Sequence, residues 1–346
     1  MQNKMIYNYV YFNATYAKKT DVDLDDYNAI CVRDLEEFDN IQVVPCIMSH
    51  KSKIFRYVYY VIEKLFRNLN INILKPWYPS FFDNKFKNSC KPLCFVIASS
   101  QIPVNYVLWL KHQYPNAKFV RVHRDLFKVT CRNGYTKEFL DDNFDVQMTF
   151  DENEAKSSGA LYFDEIESKI DTSDASMYPE CDVFFAGKAK DRFPRIIDAL
   201  TTFNEKGLNC YFYVTEVPEN QRVKAKGIIY GEKYMSYKEM LYRSIRSKCL
   251  LEINQTGAVG YTSRFIEAVL YNKKLITDNS YIKRSKFYDD RYIQIVLPGD
   301  QIETGFINDN VVVDYKYNNE FSPINMIDTL EYYFSNNEKQ KEIKND

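Results

Sequence analysis

Between residues 181 and 296 two patterns of apolar residues take turns along the chain. CDVFFAG (181–187) is a short, nearly continuous apolar run closed by glycine, the pattern of a strand buried on both faces. The stretch that follows, KAKDRFPRIIDALTTFNEK, spaces Phe193, Ile196, Ile197, Leu200 and Phe203 at helical intervals. LNCYFYV (208–214), GIIY (227–230), KCLLEI (248–253), KLIT (274–277) and YIQIV (292–296) read as further strands. Ser236 predicts an N-cap for the helix YKEMLYRSIRS, with Glu239 three residues on completing a capping box. Strands alternating with helices at this spacing predict parallel βαβ units.

The first half is less regular. KMIYNYVYF, NAICV and IQVVPC are strand-like, and PLCFVIAS (92–99) and AKFVRVH (117–123) predict strands flanking a helix near 104–113. DVQMTF (145–150) adds another strand. The polar stretch SKIDTSDASMYPE (168–180) marks a boundary. The expected organisation is α/β, with one Rossmann-like domain over 1–175, a second over 176–335 and a frayed tail over 336–346.

Composition narrows the function classes. A chain of 346 residues exceeds one hydrophobic core, and its net charge of −1 argues against general nucleic-acid binding. It contains neither an apolar run of spanning length nor a signal-peptide pattern, which predicts a cytoplasmic protein. The eight cysteines are scattered and the three histidines lack metal-ligand spacing, so reduced thiols and no metal site are expected. The acidic run DVDLDD (21–26) has D-x-D spacing but follows no hydrophobic strand, and reads as a solvated loop.

Two places in the second domain carry chemistry. Gly187 ends a strand and leads through Lys188, Lys190 and Arg192 into a helix. Cations are unfavourable at a helix N-terminus unless something anionic sits there, which makes this start a candidate phosphate site. Gly257 and Gly260 precede Tyr261, Thr262, Ser263 and Arg264 at the start of a second helix. Glycines allow close backbone approach, and free N–H groups with hydroxyls can cradle a phosphate. Glu267 lies one to two turns further in, where a carboxylate can accept hydrogen bonds from ribose hydroxyls. Gln255, just ahead of the turn, joins the candidate donor-binding set.

The segments CDVFFAGKAKDRFPRIIDAL and SYKEMLYRSIRSKCLLEINQTGAVGYTSRFIEAVLYNKKLITDN resemble the donor-binding half of GT-B fold glycosyltransferases of bacterial polysaccharide and glycolipid assembly. The resemblance covers 181–296, extends more weakly to PNAKFVRVHRD (115–125) and FDVQMTFDENEA (144–155), and does not reach residues 1–90. It implies two Rossmann-like domains facing each other across a cleft, a nucleotide-sugar donor (a UDP-hexose), no metal and no cofactor. By the same resemblance Glu267 holds the ribose, Thr262 and Ser263 the diphosphate, and Lys190 and Arg192 the phosphates from across the site. Tyr230 and the loop after it face the base. Many retaining members carry a second glutamate eight positions before the ribose glutamate; here that position is Val259, which leaves retention or inversion open.

An inverting enzyme needs a general base on the first domain. His123 and Asp125 follow one predicted strand and Asp151 another, and each can deprotonate a sugar hydroxyl. The catalytic candidates are therefore His123, Asp125, Lys190 and Arg192. Residues 51–75 set six cations against Glu63 along an apolar stripe, the pattern of a helix lying on an anionic membrane, which favours a lipid-linked or glycolipid acceptor. Two rival classes are a Rossmann-type oxidoreductase, whose G-x-G-x-x-G is missing after the first strands, and a non-catalytic two-lobed sugar- or nucleotide-binding protein.

Overall fold

A computed structural model of the chain describes residues 5–13, 17–18, 21–22, 26–45, 61, 84–100, 102–131, 134–256 and 260–345. Gly257, Val259 and, except for Val61, the basic stretch 51–75 lie outside the described residues. The chain divides into two compact units, Met1–Ser168 with Phe321–Asp346, and Lys169–Glu320.

The first unit is built on β1 (Asn8–Asn13), β4 (Ile41–Pro45), β5 (Leu93–Ile97), β6 (Lys118–His123), β7 (Val146–Thr149) and β8 (Leu161–Tyr162). These form one sheet in the order β4-β1-β5-β6-β7-β8, with every neighbouring pair parallel. β2 (Ala17–Lys18) and β3 (Asp21–Val22) make a separate antiparallel pair. The strands are largely apolar because both faces are covered. Tyr9 and Tyr11 of β1 belong to one core, and Val10 and Phe12 to the other, as alternation along a strand requires.

Three expectations change here. NAICV is not a strand: Asp26 accepts from the Asn28 N–H at 3.2 Å and caps a helix over Tyr27–Cys31. The acidic run is likewise not simply a loop, since it contributes β3 and that cap. The domain limit at 335 also moves, because the helix Pro323–Asn345 belongs to the first unit and continues through the expected frayed tail. Ile327, Leu330 and Phe334 form a helical stripe packed on the core that holds Tyr9, Val96 and Val120. Glu331 accepts from the Ile6 N–H at 2.8 Å and from the Tyr9 hydroxyl at 2.8 Å, tying that helix to the first strand.

The second unit follows the predicted alternation. β9 (Cys181–Lys188), β10 (Cys210–Thr215), β11 (Ile228–Gly231), β12 (Ser247–Glu252), β13 (Lys274–Thr277) and β14 (Ile293–Ile295) form a parallel sheet in the order β11-β10-β9-β12-β13-β14. Each unit is thus a Rossmann-like α/β layer. Helix Phe193–Glu205 buries Ile196, Ala199, Leu200 and Phe203 on this second sheet. Ser236 caps the helix Tyr237–Ile245 by accepting from the Glu239 N–H at 3.2 Å, while the Glu239 carboxylate turns to Arg243. The chain fills one side of β9 with β10 and β11, then returns to start the other side with β12. That reversal opens a crevice at the carboxyl ends of β9 and β12, the position where open α/β sheets bind ligands. Among the described residues no helix is long and apolar enough to cross a membrane.

Candidate functional site

At this switch point the residues after β9 hold the residues after β12 one by one. Arg192 donates from Nε to the Lys188 carbonyl at 3.1 Å and from Nη1 to the Ile253 carbonyl. The Asn254 N–H donates to both Asp278 oxygens at 2.9 and 3.1 Å, and its carbonyl accepts from Arg195, which also pairs with Asp278. Lys190 Nζ donates to Gln255 Oε1 at 2.5 Å. The N–H and hydroxyl of Thr256 donate to Asp191 at 2.9 and 2.5 Å, and these bonds hold its carboxyl below the usual aspartate range. Gly187 lets Arg192 lie close: a Cβ there would stand 2.8 Å from Arg192 Nη2, and the end of that side chain would have to shift. Lys190 itself has φ +45°, uncommon for a side-chain-bearing residue and typical of functional turns.

The second candidate turn lies beside the first. Gly260 has φ +80° with open space where a Cβ would project, so conformation alone demands glycine there. Thr262 caps the eight-residue helix Ser263–Leu270 by accepting from the Phe265 N–H at 3.3 Å. Its hydroxyl donates to Glu252 at the end of β12, and Thr277 at the end of β13 donates to the other oxygen of the same carboxylate. Burial pushes the Glu252 carboxyl up, and the two hydroxyls partly offset that. The Tyr261 ring packs against Phe265 and Tyr281. A cavity of about 600 Å³ is lined by Asp191, Arg195, Gln255, Gly260, Asp278 and Tyr281 among others. A second, of about 640 Å³, runs between helix Phe193–Glu205 and residues 296–305 and shares Arg195 and Asp278 with it.

Glu267 is 0% exposed. One carboxylate oxygen accepts from Tyr237 at 3.3 Å; the other accepts from Ser244 at 3.1 Å and pairs with Arg264. Arg264 also donates to the Ser244 hydroxyl at 2.9 Å and covers the Phe184 ring. Burial raises the Glu267 carboxyl while Arg264 and the hydroxyls pull it back. Both side chains are committed inside the domain, and with Glu267 fully buried a ribose contact would require this cluster to open. The Tyr230 hydroxyl is also occupied, donating to the Val223 carbonyl at 2.9 Å and accepting from its N–H at 2.8 Å. Lys188 turns to Glu216 at 2.9 Å and lies 4.8 Å from the ring centre of Tyr234, an aromatic 61% exposed in the loop after β11. Ser263 is the first residue of its helix.

In the first unit His123 is 0% exposed, so the expected solvent-facing base is instead a core histidine. Nδ1 lies 2.6 Å from the Thr130 hydroxyl and Nε2 lies 3.3 Å from Gln147 Oε1, with the Phe127 ring 4.2 Å away. Burial, helped by Arg121, lowers its pKa to about 3. The cause is that β6 is covered on both faces up to its last residue. Asp151 is an N-cap, accepting from the Glu154 N–H at 2.8 Å. Asp125 is exposed, in the turn ahead of the short helix Phe127–Thr130.

Sequence reasoning passed over Asp191, Arg195, Thr277, Asp278 and Asn279. A signal existed for three of them: Thr277-Asp278-Asn279 closes the apolar run KLIT, and strand ends at a switch point are where ligand-facing groups collect. Among the described residues no cluster of three or more His, Cys, Asp or Glu side chains could hold a metal ion.

The sequence matches no protein-family model and no curated protein. Solved structures with a similar course of the chain include an alpha-glucosyltransferase in complex with UDP-glucose and DNA containing an abasic site. It is 13% identical, with 80% of this chain and 84% of that chain covered and a TM-score of 0.42. A UDP-N-acetylglucosamine 2-epimerase from Rickettsia bellii is 12% identical, with 92% of each chain covered and a TM-score of 0.41. MnaA from S. aureus, solved with UDP, is 9% identical, with 95% of this chain and 97% of that chain covered and a TM-score of 0.45. At this level of similarity the likeness carries no inference about activity.

Proposed function

We propose that this chain is a glycosyltransferase that takes a hexose from a nucleotide sugar, a UDP-hexose, and moves it to a lipid-linked or membrane-associated glycan. The observation that carries this reading is the meeting of two phosphate-suited turns at one switch point. Lys190, on left-handed backbone, holds Gln255, and Gln255 and Gly260, the latter just ahead of the capped helix start, both line the 600 Å³ cavity. In this reading Lys190 releases Gln255 and neutralises the departing diphosphate, whose charge grows as the glycosidic bond breaks. The N–H groups at the start of helix Ser263–Leu270 take the other phosphate. Arg192 orients the strand-end loops while adding positive potential. Asp125, exposed where His123 is buried, is the general base that takes the acceptor's proton. No step is assigned to a metal or a cofactor. The membrane part of the proposal rests on the cationic, amphipathic pattern of residues 51–75.

Thermal unfolding with a panel of nucleotides and nucleotide sugars tests the donor. Ligand at 100 times its dissociation constant adds about 2.7 kcal/mol of stability. UDP-sugar turnover in the presence of lipid-linked glycan and EDTA then tests transfer. UDP release that requires acceptor supports it; inversion of the UDP-sugar at C2 without any acceptor replaces transfer by epimerisation. NADH binding without nucleotide-sugar binding returns the oxidoreductase reading.

A further inference from the structure

Glu252 is the last residue of β12 and is 5% exposed. Its two oxygens take hydroxyl hydrogens from two different segments, Thr262 at the start of one helix and Thr277 at the end of the next strand. Each threonine oxygen accepts in turn. Thr262 receives the Phe265 N–H at 3.3 Å, and Thr277 receives the Asn279 N–H at 2.9 Å. Asn279 Nδ2 then donates to the Gly260 carbonyl at 2.9 Å, which closes the circuit on the glycine turn. One carboxylate thus fixes the cap of the helix, the strand end beside it and, through Asn279, the turn that leads into the helix. An apolar side chain of the same volume would fill the space but leave two threonine hydroxyls without an acceptor, so packing alone does not account for a glutamate at this place.

We infer that Glu252 is a positioning residue for the donor site: it sets the direction of the N–H groups at the Gly260 turn and helix start without touching the donor. This rests on the reading of that turn as a diphosphate site. The direction of these groups matters because N–H donors bind an anion well only when pre-oriented, before the ligand supplies any organising energy.

The test measures UDP affinity by calorimetry and amide hydrogen exchange over 260–267 and 277–282, in wild type, Glu252→Ala and Glu252→Gln. The expected result is a dissociation constant raised about tenfold or more in folded Glu252→Ala, faster exchange in both segments, and recovery to within about threefold in Glu252→Gln, which keeps an acceptor oxygen. Should Glu252→Ala fail to fold, Thr277→Val removes one limb alone; it is expected to weaken UDP several-fold and speed exchange over 277–282. Unchanged UDP affinity in a folded Glu252→Ala or Thr277→Val protein overturns the inference alone. A wild-type protein that binds no nucleoside diphosphate overturns the site reading and this inference with it.

Discussion

The carboxyl edges of the two sheets treat their polar residues in opposite ways. In the first unit His123 ends a strand and is sealed between Thr130, Gln147 and Phe127, with its pKa driven down to about 3. In the second unit the residues beyond the strand ends reach across to one another, so that Lys190, Asp191, Arg192 and Arg195 grip residues 253–256. The two sheets share a type and both reverse beside their first strand, at β1/β5 and at β9/β12; what separates the two places is that His123 ends β6, away from its reversal, whereas the second cluster sits at its own. Where the sheet changes winding direction, neighbouring loops diverge and leave polar groups room to meet. At the end of β6, away from the reversal, Thr130, Gln147 and Phe127 close over the strand end. A strand-terminal polar residue is therefore a site candidate where the loops beside it leave it open partners, as at β9, β12 and the end of β13, where Asp278 meets Asn254 and Arg195.

The largest effect that sharpens this contrast comes from behind the second site. Removing the buried Glu267 carboxylate takes the ion-pair partner from an Arg264 side chain that is only 11% exposed, and Glu267→Ala should lower the unfolding free energy by about 3–5 kcal/mol in urea titrations. A loss below about 1 kcal/mol together with abolished UDP binding would instead return Glu267 to the ligand.

The buried histidine predicts the next largest effect. Unfolded His123 takes up a proton near pH 6.5 and the folded one only near 3, so between those values the unfolded state binds more protons. Stability contributed by the neutral ring is full above pH 6.5 and falls with pH by up to about 1.4 kcal/mol per unit, about 3 kcal/mol by pH 4. Urea midpoints from pH 7 to 4 should decline less steeply for His123→Gln than for wild type. Equal slopes would mean that the ring titrates normally and is open to solvent.

Smaller effects distinguish the two glycines of the second site. Gly187→Ala pushes the Arg192 guanidinium away and should cost about 1 kcal/mol while weakening UDP, as its bond to the Ile253 carbonyl is displaced. Gly260→Ala meets open space and bears only the backbone strain of positive φ, about 1–2 kcal/mol. Chemical unfolding of the pair decides whether crowding or conformation governs each position.

The aspartates of the first unit should show the smallest stability changes and the clearest functional separation. Asp151→Ala removes an N-cap, for about 1 kcal/mol, with turnover unchanged. Asp125→Asn should alter stability by under about 0.5 kcal/mol yet slow transfer about 100-fold or more if it is the base. Normal turnover in Asp125→Asn removes it from the mechanism.

Much of the fold was legible in apolar pattern. Strands such as CDVFFAG and KLIT, the helix with Ile196, Leu200 and Phe203, and the cap at Ser236 are local, because each depends on residues within a few positions of one another. The two glycine turns were legible for the same reason, since positive φ at Gly260 and close approach at Gly187 follow from the missing Cβ. NAICV misled because a five-residue apolar stretch fits either period, and one capping aspartate decided it. The sequence by itself thus determined the βαβ elements and the places where backbone comes close to a ligand-sized crevice. Only the tertiary structure decided that Glu267 is buried against Tyr237 and Ser244, that His123 is sealed, that Glu252 joins two threonines, and that the last helix returns to the first sheet. Each of these depends on partners tens to hundreds of residues apart, or on which side chain faces which neighbour, and burial then fixes its charge and its role.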